Sequence, residues 1–426
     1  MGLPRIPTSN PSQTPSLACK NPESEPKGKI RIGNPSTVLY FDHNATSPLC
    51  ETARDAWLDA SARYPGNPSS PHRLGARADA ALSQAREKLA AWLGCEPAEI
   101  VWTAGATEAA NTVLHHAAHT ALGPAWISAI EHPCVLESVR GHFPKRHRLI
   151  PVNPDGVLDL EWLERSLKDH RPSLVAIMAA NNETGVLQPW RETMTLCRER
   201  GVPFFCDAAQ WIGKLPAAGL GGADFVSGCA HKFGGPPGVG FLKCPLKMRP
   251  LLLGGPQEEG RRAGTENVAG ILSMIAALDL REQALKNAAT AERIAWRAGF
   301  EAALIRELPG AQILGPSVPL DPSAPSANAA TPQRLWNTVS AIMPELPDCR
   351  QRWVVKLDSL GFAVSTGSAC ASGKEQTSHV LAAMGLPASA ASRALRFSSG
   401  WETTPSDWQS LLDGLIRAHA ALALAS

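Results

Sequence analysis

Phe204-Phe-Cys-Asp207-Ala-Ala-Gln210 and, further on, Ala223-Asp-Phe-Val-Ser-Gly-Cys-Ala-His231-Lys232-Phe-Gly-Gly-Pro-Pro-Gly238 decide how this chain reads. Each opens on a short apolar run, a strand candidate (Pro203–Cys206, Ala223–Ser227), and each soon reaches a charged residue, a carboxylate at Asp207 and an amine at Lys232. A carboxylate at the buried end of a strand needs a partner, because an unpaired buried charge is costly. A heterocyclic cation, a lysine or a metal would serve; a plain helix cap is the structural alternative. The glycines and prolines after Lys232 predict a rigid, irregular loop.

Outward from this stretch the same rhythm continues. Strand candidates are Glu99–Thr103, Ala125–Ala129, Leu174–Ala179 and Val239–Leu242, with helix candidates Ala76–Leu93, Thr107–Ala121, Leu160–Lys168 and Glu192–Arg200 between them. Such alternation predicts an α/β fold with a mainly parallel sheet covered on both faces, and ligands of such sheets lie at the carboxyl ends of the strands. Val268 to about Leu308 is rich in helix formers and lacks an internal proline, which predicts one long helix leading to a smaller α+β domain. The expected organisation is an extension over 1–36, a large domain over 51–294, and a small domain built from 37–50 plus 295–426.

Composition bounds the rest. The chain has 426 residues, 41 basic against 39 acidic side chains, and 44% apolar residues. It is long enough for two or three structural units, and its charge balance gives no footprint for nucleic acid or a membrane surface. Residues 1–36 carry seven prolines and little apolar periodicity, so they read as a disordered extension. Prolines 316, 319, 322, 325 and 332 punctuate a second stretch, Gly315–Gln333, expected to be a loop or strand-edge connection. No apolar run reaches the ~18 residues of a membrane span, and the N-terminus lacks the pattern of a secretory signal. The ten cysteines form no CxxC pair, which points to free thiols in a reducing, cytoplasmic setting. His115, His116 and His119 offer an i, i+4 pair without an intervening glutamate, so no metal is expected. Lys145-Arg146-His147-Arg148 reads as a short solvated turn.

One more motif completes the chemistry. Thr103-Ala-Gly-Ala-Thr-Glu108 follows a strand and opens a helix, where Gly105 permits a tight turn and the N–H groups of Ala106 and Thr107 would face an anion. In order, the chain thus offers an anion site, a strand-end Asp and a loop Lys. Pyridoxal phosphate needs a group for its phosphate, an anion for its ring nitrogen and an amine for its aldehyde.

Ten motifs, over roughly residues 38–420, resemble the class I (NifS/IscS-type) cysteine desulfurases, fold-type I pyridoxal-phosphate enzymes of the class V aminotransferases. They are Tyr40-Phe-Asp-His-Asn-Ala-Thr46, Gly66-Asn-Pro-Ser-Ser70, Gly105-Ala-Thr-Glu108, Glu131-His132, Asn181-Asn-Glu-Thr-Gly185, Asp207-Ala-Ala-Gln210, His231-Lys232, Arg262-Ala-Gly-Thr265, Gly367-Ser-Ala-Cys370 and Arg396-Phe-Ser398. The resemblance implies a seven-stranded, mainly parallel sheet in the large domain. It implies that Lys232 holds the cofactor and carries protons, that Asp207 pairs with the ring nitrogen, and that Gln210 bonds the ring hydroxyl oxygen. His132 would stack over the ring as an acid–base group. Ala106, Thr107 and His231 would bind the phosphate, with Thr265 reaching it from a second subunit of a homodimer. Asn182 and Arg396 would hold the carboxylate of L-cysteine.

Cys370 lies in Val364-Ser-Thr-Gly-Ser-Ala-Cys-Ala-Ser-Gly373, whose small residues suit an exposed loop better than a packed element. By the same resemblance its thiolate would attack the substrate's sulfur, leave a persulfide, and pass it to an acceptor protein for iron–sulfur cluster, thio-cofactor or tRNA biosynthesis. Two positions depart from the family pattern: Cys229 stands where a phosphate-binding serine is usual, a poorer donor, and Pro256 replaces a usual glycine. A selenocysteine lyase or another β-lyase on the same fold, and a sulfur-relay or scaffold-binding homologue, remain as alternatives.

Overall fold

Continuous apolar runs such as Leu174-Val-Ala-Ile-Met178 have no polar face to turn to water, and they become the interior strands of a seven-stranded sheet. The computed structural model describes residues 38–287, 289–316, 333–346, 349–367 and 378–424. The extension 1–36 and residues 317–332 of the proline-rich stretch lie outside the described residues. Across the large sheet the order is Ile100–Thr103, Gly240–Lys243, Phe225–Cys229, Phe204–Asp207, Leu174–Met178, Ala125–Ser128, His147–Ile150. The last five run parallel to one another, and Gly240–Lys243 is antiparallel to both its neighbours.

Side chains alternate between the two faces as the pleat requires. Val175, Ile177, Phe204 and Cys206 join a cluster with the helices Arg73–Leu93 and Val268–Lys286. Ala176 and Phe205 join another with Ala106–Thr120 and Pro133–His142. Helix Arg73–Leu93 buries Ala78, Ala81, Leu82, Ala85, Leu89 and Leu93, one stripe at helical spacing. It starts at His72, whose side chain accepts the Gly75 N–H, and stops at Gly94 in the left-handed conformation.

A three-stranded antiparallel sheet, Ala394–Ser398, Thr338–Ile342, Gln312–Ile313, has a separate core that includes Phe41, Phe300, Leu304, Trp353, Phe397 and Trp408. Strand Leu39–Tyr40 pairs in parallel with Phe362–Ala363 beside it.

Two expectations change. The long helix is two helices, Val268–Lys286 and Ala289–Glu307. Asn287 caps the first, giving its N–H to the carbonyls of Ala284 and Leu285; asparagine favours helix ends over interiors, a signal that a search for proline alone misses. The basic turn is in part an edge strand, His147–Ile150. Arg148 lies over the rings of Trp162 and Trp126, 4.6 and 5.8 Å from their centres.

A close approach of backbone to backbone fixes the turn that opens helix Ala106–Thr120. Gly105 has φ +154°, which side-chain-bearing residues rarely adopt, and a Cβ on Gly240 would fall 2.6 Å from its Cα and 2.5 Å from the Gly228 carbonyl. Gly240→Ala is therefore expected to cost about 1–3 kcal/mol through overpacking; an unchanged midpoint in chemical denaturation would contradict this packing account.

Candidate active site

Strands that run parallel deliver their carboxyl ends to one edge, and a cavity of about 650 Å³ opens there. Ala106 and Thr107 follow Ile100–Thr103, His132 follows Ala125–Ser128, Asn182 follows Leu174–Met178, Asp207 and Gln210 end Phe204–Asp207, and Cys229, His231 and Lys232 end Phe225–Cys229; all of them line it. Arg396 reaches it from the small sheet.

Asp207 is 4% exposed. Its Oδ1 accepts the Ser227 hydroxyl at 2.9 Å and the Ala209 N–H at 3.0 Å. Among the described residues its Oδ2 has no hydrogen-bond partner, and the residue borders the cavity. Lys232 gives its amine to the carbonyls of Asn44 and Ala45, both at 2.8 Å. Burial is the largest influence lowering its pKa; Cys229 and Asp207 oppose this, and Arg396 adds to it. An amine so placed loses its proton more readily than a solvated lysine.

His132 caps the helix Pro133–His142, its Nδ1 accepting the Cys134 N–H at 3.1 Å. The neutral ring therefore carries its proton on Nε2. Burial first, then nearby Lys232 and His379, lower its pKa against the pull of Asp207. Next to it Glu131 is fully buried, with Oε1 on the Met178 N–H and Oε2 without a hydrogen-bond partner among the described residues. Burial, then Asp207, raise its pKa well above the carboxylate range.

The helix Ala106–Thr120 points its N-terminus at the cavity. The Ala106 N–H meets the Cys229 thiol, and the Thr107 hydroxyl meets Cys134. Burial pushes Cys229 up to about 11, so it stays a neutral thiol. His231 bonds Thr46 Oγ1 at 3.2 Å, and burial lowers its pKa to about 4. Glu108, which also lines the cavity, is paired with Arg262 at 2.8 and 3.2 Å.

Opposite, the Arg396 guanidinium is 4% exposed. Nη1 bonds the carbonyls of Asn182 and Gly367 at 3.0 and 3.2 Å, and Nη2 bonds Asp42 at 2.6 Å. Gln210 gives Nε2 to the Asn44 carbonyl at 2.9 Å, and its Oε1 accepts from Lys214.

Two residues singled out in the sequence are not gathered here. Thr265 is exposed and does not line the cavity. Cys370 lies outside the described residues. The residues on either side of that segment meet one carboxylate: Ser378 donates to Glu183 at 2.6 Å, and a side chain on Gly367 would begin 3.6 Å from the same oxygen. Sequence reasoning passed over Lys214 and gave no role to Asp42, Asn44 or Ser227, although the quoted stretches contain all three. Ser227 could have been found as a polar residue inside an apolar strand; Lys214 looks in sequence like any loop lysine.

Residues 39–411 match the family model described as Aminotransferase class-V. A cysteine desulfurase of Enterobacter agglomerans is 37% identical over 372 residues, covering 84% of this chain and 87% of the relative. The structure of a NifS-like protein superposes with a TM-score of 0.79 at 31% identity, covering 91% of this chain and all of that one. SspA, solved in complex with cysteine, superposes at 0.67 with 28% identity, covering 84% and 98%. By motif, topology and likeness, the chain belongs to the class-V aminotransferase family, among its NifS-like cysteine desulfurases.

Proposed function

We propose that this chain converts L-cysteine to L-alanine with pyridoxal phosphate as its resident cofactor, and transfers the sulfur through Cys370. The observation that carries the reading is Asp207, whose carboxylate keeps one oxygen without a hydrogen bond among the described residues, lining the same cavity as Lys232 and the N-terminus of Ala106–Thr120. A buried carboxylate left half satisfied suits a ring cation. The first N–H groups of a helix suit a phosphate.

In this reading Lys232 holds the cofactor, Asp207 keeps its ring nitrogen protonated, and Gln210 donates to its ring oxygen. Ala106, Thr107 and His231 take the phosphate, with Cys229 beside them as a weak donor. When bound, the cofactor supplies an electron sink for negative charge at the substrate's Cα. Asn182 and Arg396 bind the substrate carboxylate, which competes with Asp42 for the guanidinium. Lys232 moves the Cα proton, and His132, its Nδ1 tied to Cys134, presents Nε2 to the substrate. The Cys370 thiolate attacks the cysteine sulfur: an S–S bond forms, the C–S bond breaks, and its electron pair stays on carbon, which takes up a proton to become the methyl group of alanine.

We read the persulfide acceptor as a protein, an iron–sulfur scaffold or a sulfur carrier for thio-cofactor or tRNA synthesis. Thr265 would serve the phosphate of a second subunit's site in a homodimer, and its exposure leaves it available for that. The separate aromatic core around the three-stranded sheet supports a small domain of 37–50 plus 295–426 beside a large one of 51–294. Among the described residues no helix is long and apolar enough to cross a membrane, which accords with a cytoplasmic enzyme.

Incubation with L-cysteine is expected to add roughly 32 Da, one sulfur on the nucleophile, to the peptide containing Cys370. Cys370→Ala should abolish both that adduct and the release of sulfide with reductant; full sulfide release without Cys370 would overturn the persulfide route. Asp207→Asn should lower kcat by about 10²–10³-fold, the scale of one preorganised electrostatic contact, while leaving the thermal midpoint little changed. Arg396→Lys should raise KM for cysteine about 10–100-fold, since a lysine cannot offer a two-point contact, and an unchanged KM would remove Arg396 from substrate binding.

A further inference from the structure

We propose that Lys214 is a positioning residue of this site: a buried amine that fixes the orientation of the Gln210 and Asn44 amides, and so decides that Gln210 faces the cavity as a donor. The inference rests on the proposed function, in which the cofactor's ring oxygen meets Gln210.

Lys214 is 3% exposed. Its Nζ bonds Asn44 Oδ1 at 2.9 Å and Gln210 Oε1, and none of the ion pairs among the described residues includes it. The nearby charges, Lys232 and Arg396, both repel a proton on it, and burial does so more strongly. An ammonium carries three donors and a neutral amine two. Two acceptors are present, both amide oxygens, and Nζ is the donor to each.

In both of these bonds Lys214 donates, and an amide side chain meets a donor only with its oxygen. Gln210 must turn Oε1 toward Lys214, so Nε2 faces the other way, gives one proton to the Asn44 carbonyl at 2.9 Å, and keeps its second proton free for the cavity. Asn44 is oriented likewise: Oδ1 takes Lys214 and, at 3.1 Å, Asn337 Nδ2. Its Nδ2 donates to Thr338 Oγ1 at 2.9 Å and to the Asn182 carbonyl at 3.2 Å. The Asn44 carbonyl is also one of the two that hold the Lys232 amine, and the Asn182 carbonyl takes Arg396. One side chain beneath the cavity thus sets the polarity of contacts reaching Gln210, Lys232 and Arg396. Without it, Gln210 can reverse and present a carbonyl oxygen to an oxygen anion.

The test uses holoenzyme of Lys214→Met, which keeps length and burial but cannot donate, together with Gln210→Ala and the double variant. Lys214→Met is expected to keep its thermal midpoint and to hold pyridoxal phosphate about fivefold more weakly in equilibrium dialysis, the scale of one net hydrogen bond. The pH at which the visible absorption of the bound cofactor changes should move up by about 0.7 unit, as a donor to the anion is lost. The double variant should match Gln210→Ala alone, because both changes remove the same contact. Lys214→Gln, which retains a donor amide, should fall between wild type and Lys214→Met. Affinity and spectral midpoint equal to wild type in both Lys214 variants, or effects that add to those of Gln210→Ala, would overturn the proposal. The visible band of the wild-type protein reports on the cofactor reading by itself, so the two stand or fall separately.

Discussion

A carboxylate buried at the end of a strand is the constraint around which this molecule is arranged. Asp207 cannot be surrounded by apolar atoms alone: a serine hydroxyl and a backbone N–H take one oxygen, and the residue borders a cavity. Parallel strands make this arrangement natural, because their carboxyl ends share one edge and their connecting turns bring polar residues there without disturbing the packed faces. The core can be almost wholly apolar along Leu174–Met178 while His132, Asp207, Lys232 and Arg396 collect at its rim.

The groups at that rim hold one another in check. Lys232, Lys214 and Arg396 are three potential cations within mutual influence, set against Asp42 and Asp207. Arg396 is paired to Asp42, while burial and neighbouring cations lower the pKa of both lysines. Glu131, fully buried, is driven the opposite way: burial and Asp207 raise its pKa. The same burial therefore lowers the pKa of two amines and raises that of a carboxylic acid within one small region.

Much of this was legible in the sequence where local pattern and chemistry coincide. The apolar runs Glu99–Thr103, Pro203–Cys206 and Ala223–Ser227 announced both the strands and the residues just beyond them, and the structure brings Ala106, Thr107, His132, Asn182, Asp207, Gln210, Cys229, His231, Lys232 and Arg396 to one cavity. What escaped depends on contacts distant in sequence. Asn44 acquires its importance from Lys214, Asn337 and Asn182, none of which its own neighbourhood reveals. Lys214 sits between apolar and turn residues that suggest solvent, and only the fold buries it. The break at Asn287 and the edge strand His147–Ile150 were hidden because helix formers and cations, respectively, mask the usual boundary signs.

That edge strand also bears on how the protein behaves in company. A parallel sheet ending in an open row of backbone donors and acceptors invites another chain to add a strand and begin a chain of association. Here the outermost strand carries His147 and Arg148, with the guanidinium anchored over two tryptophan rings rather than free to swing aside. A fixed cation on the rim repels a like rim approaching in register, so the sheet's margin favours solubility at concentrations where a bare margin would aggregate.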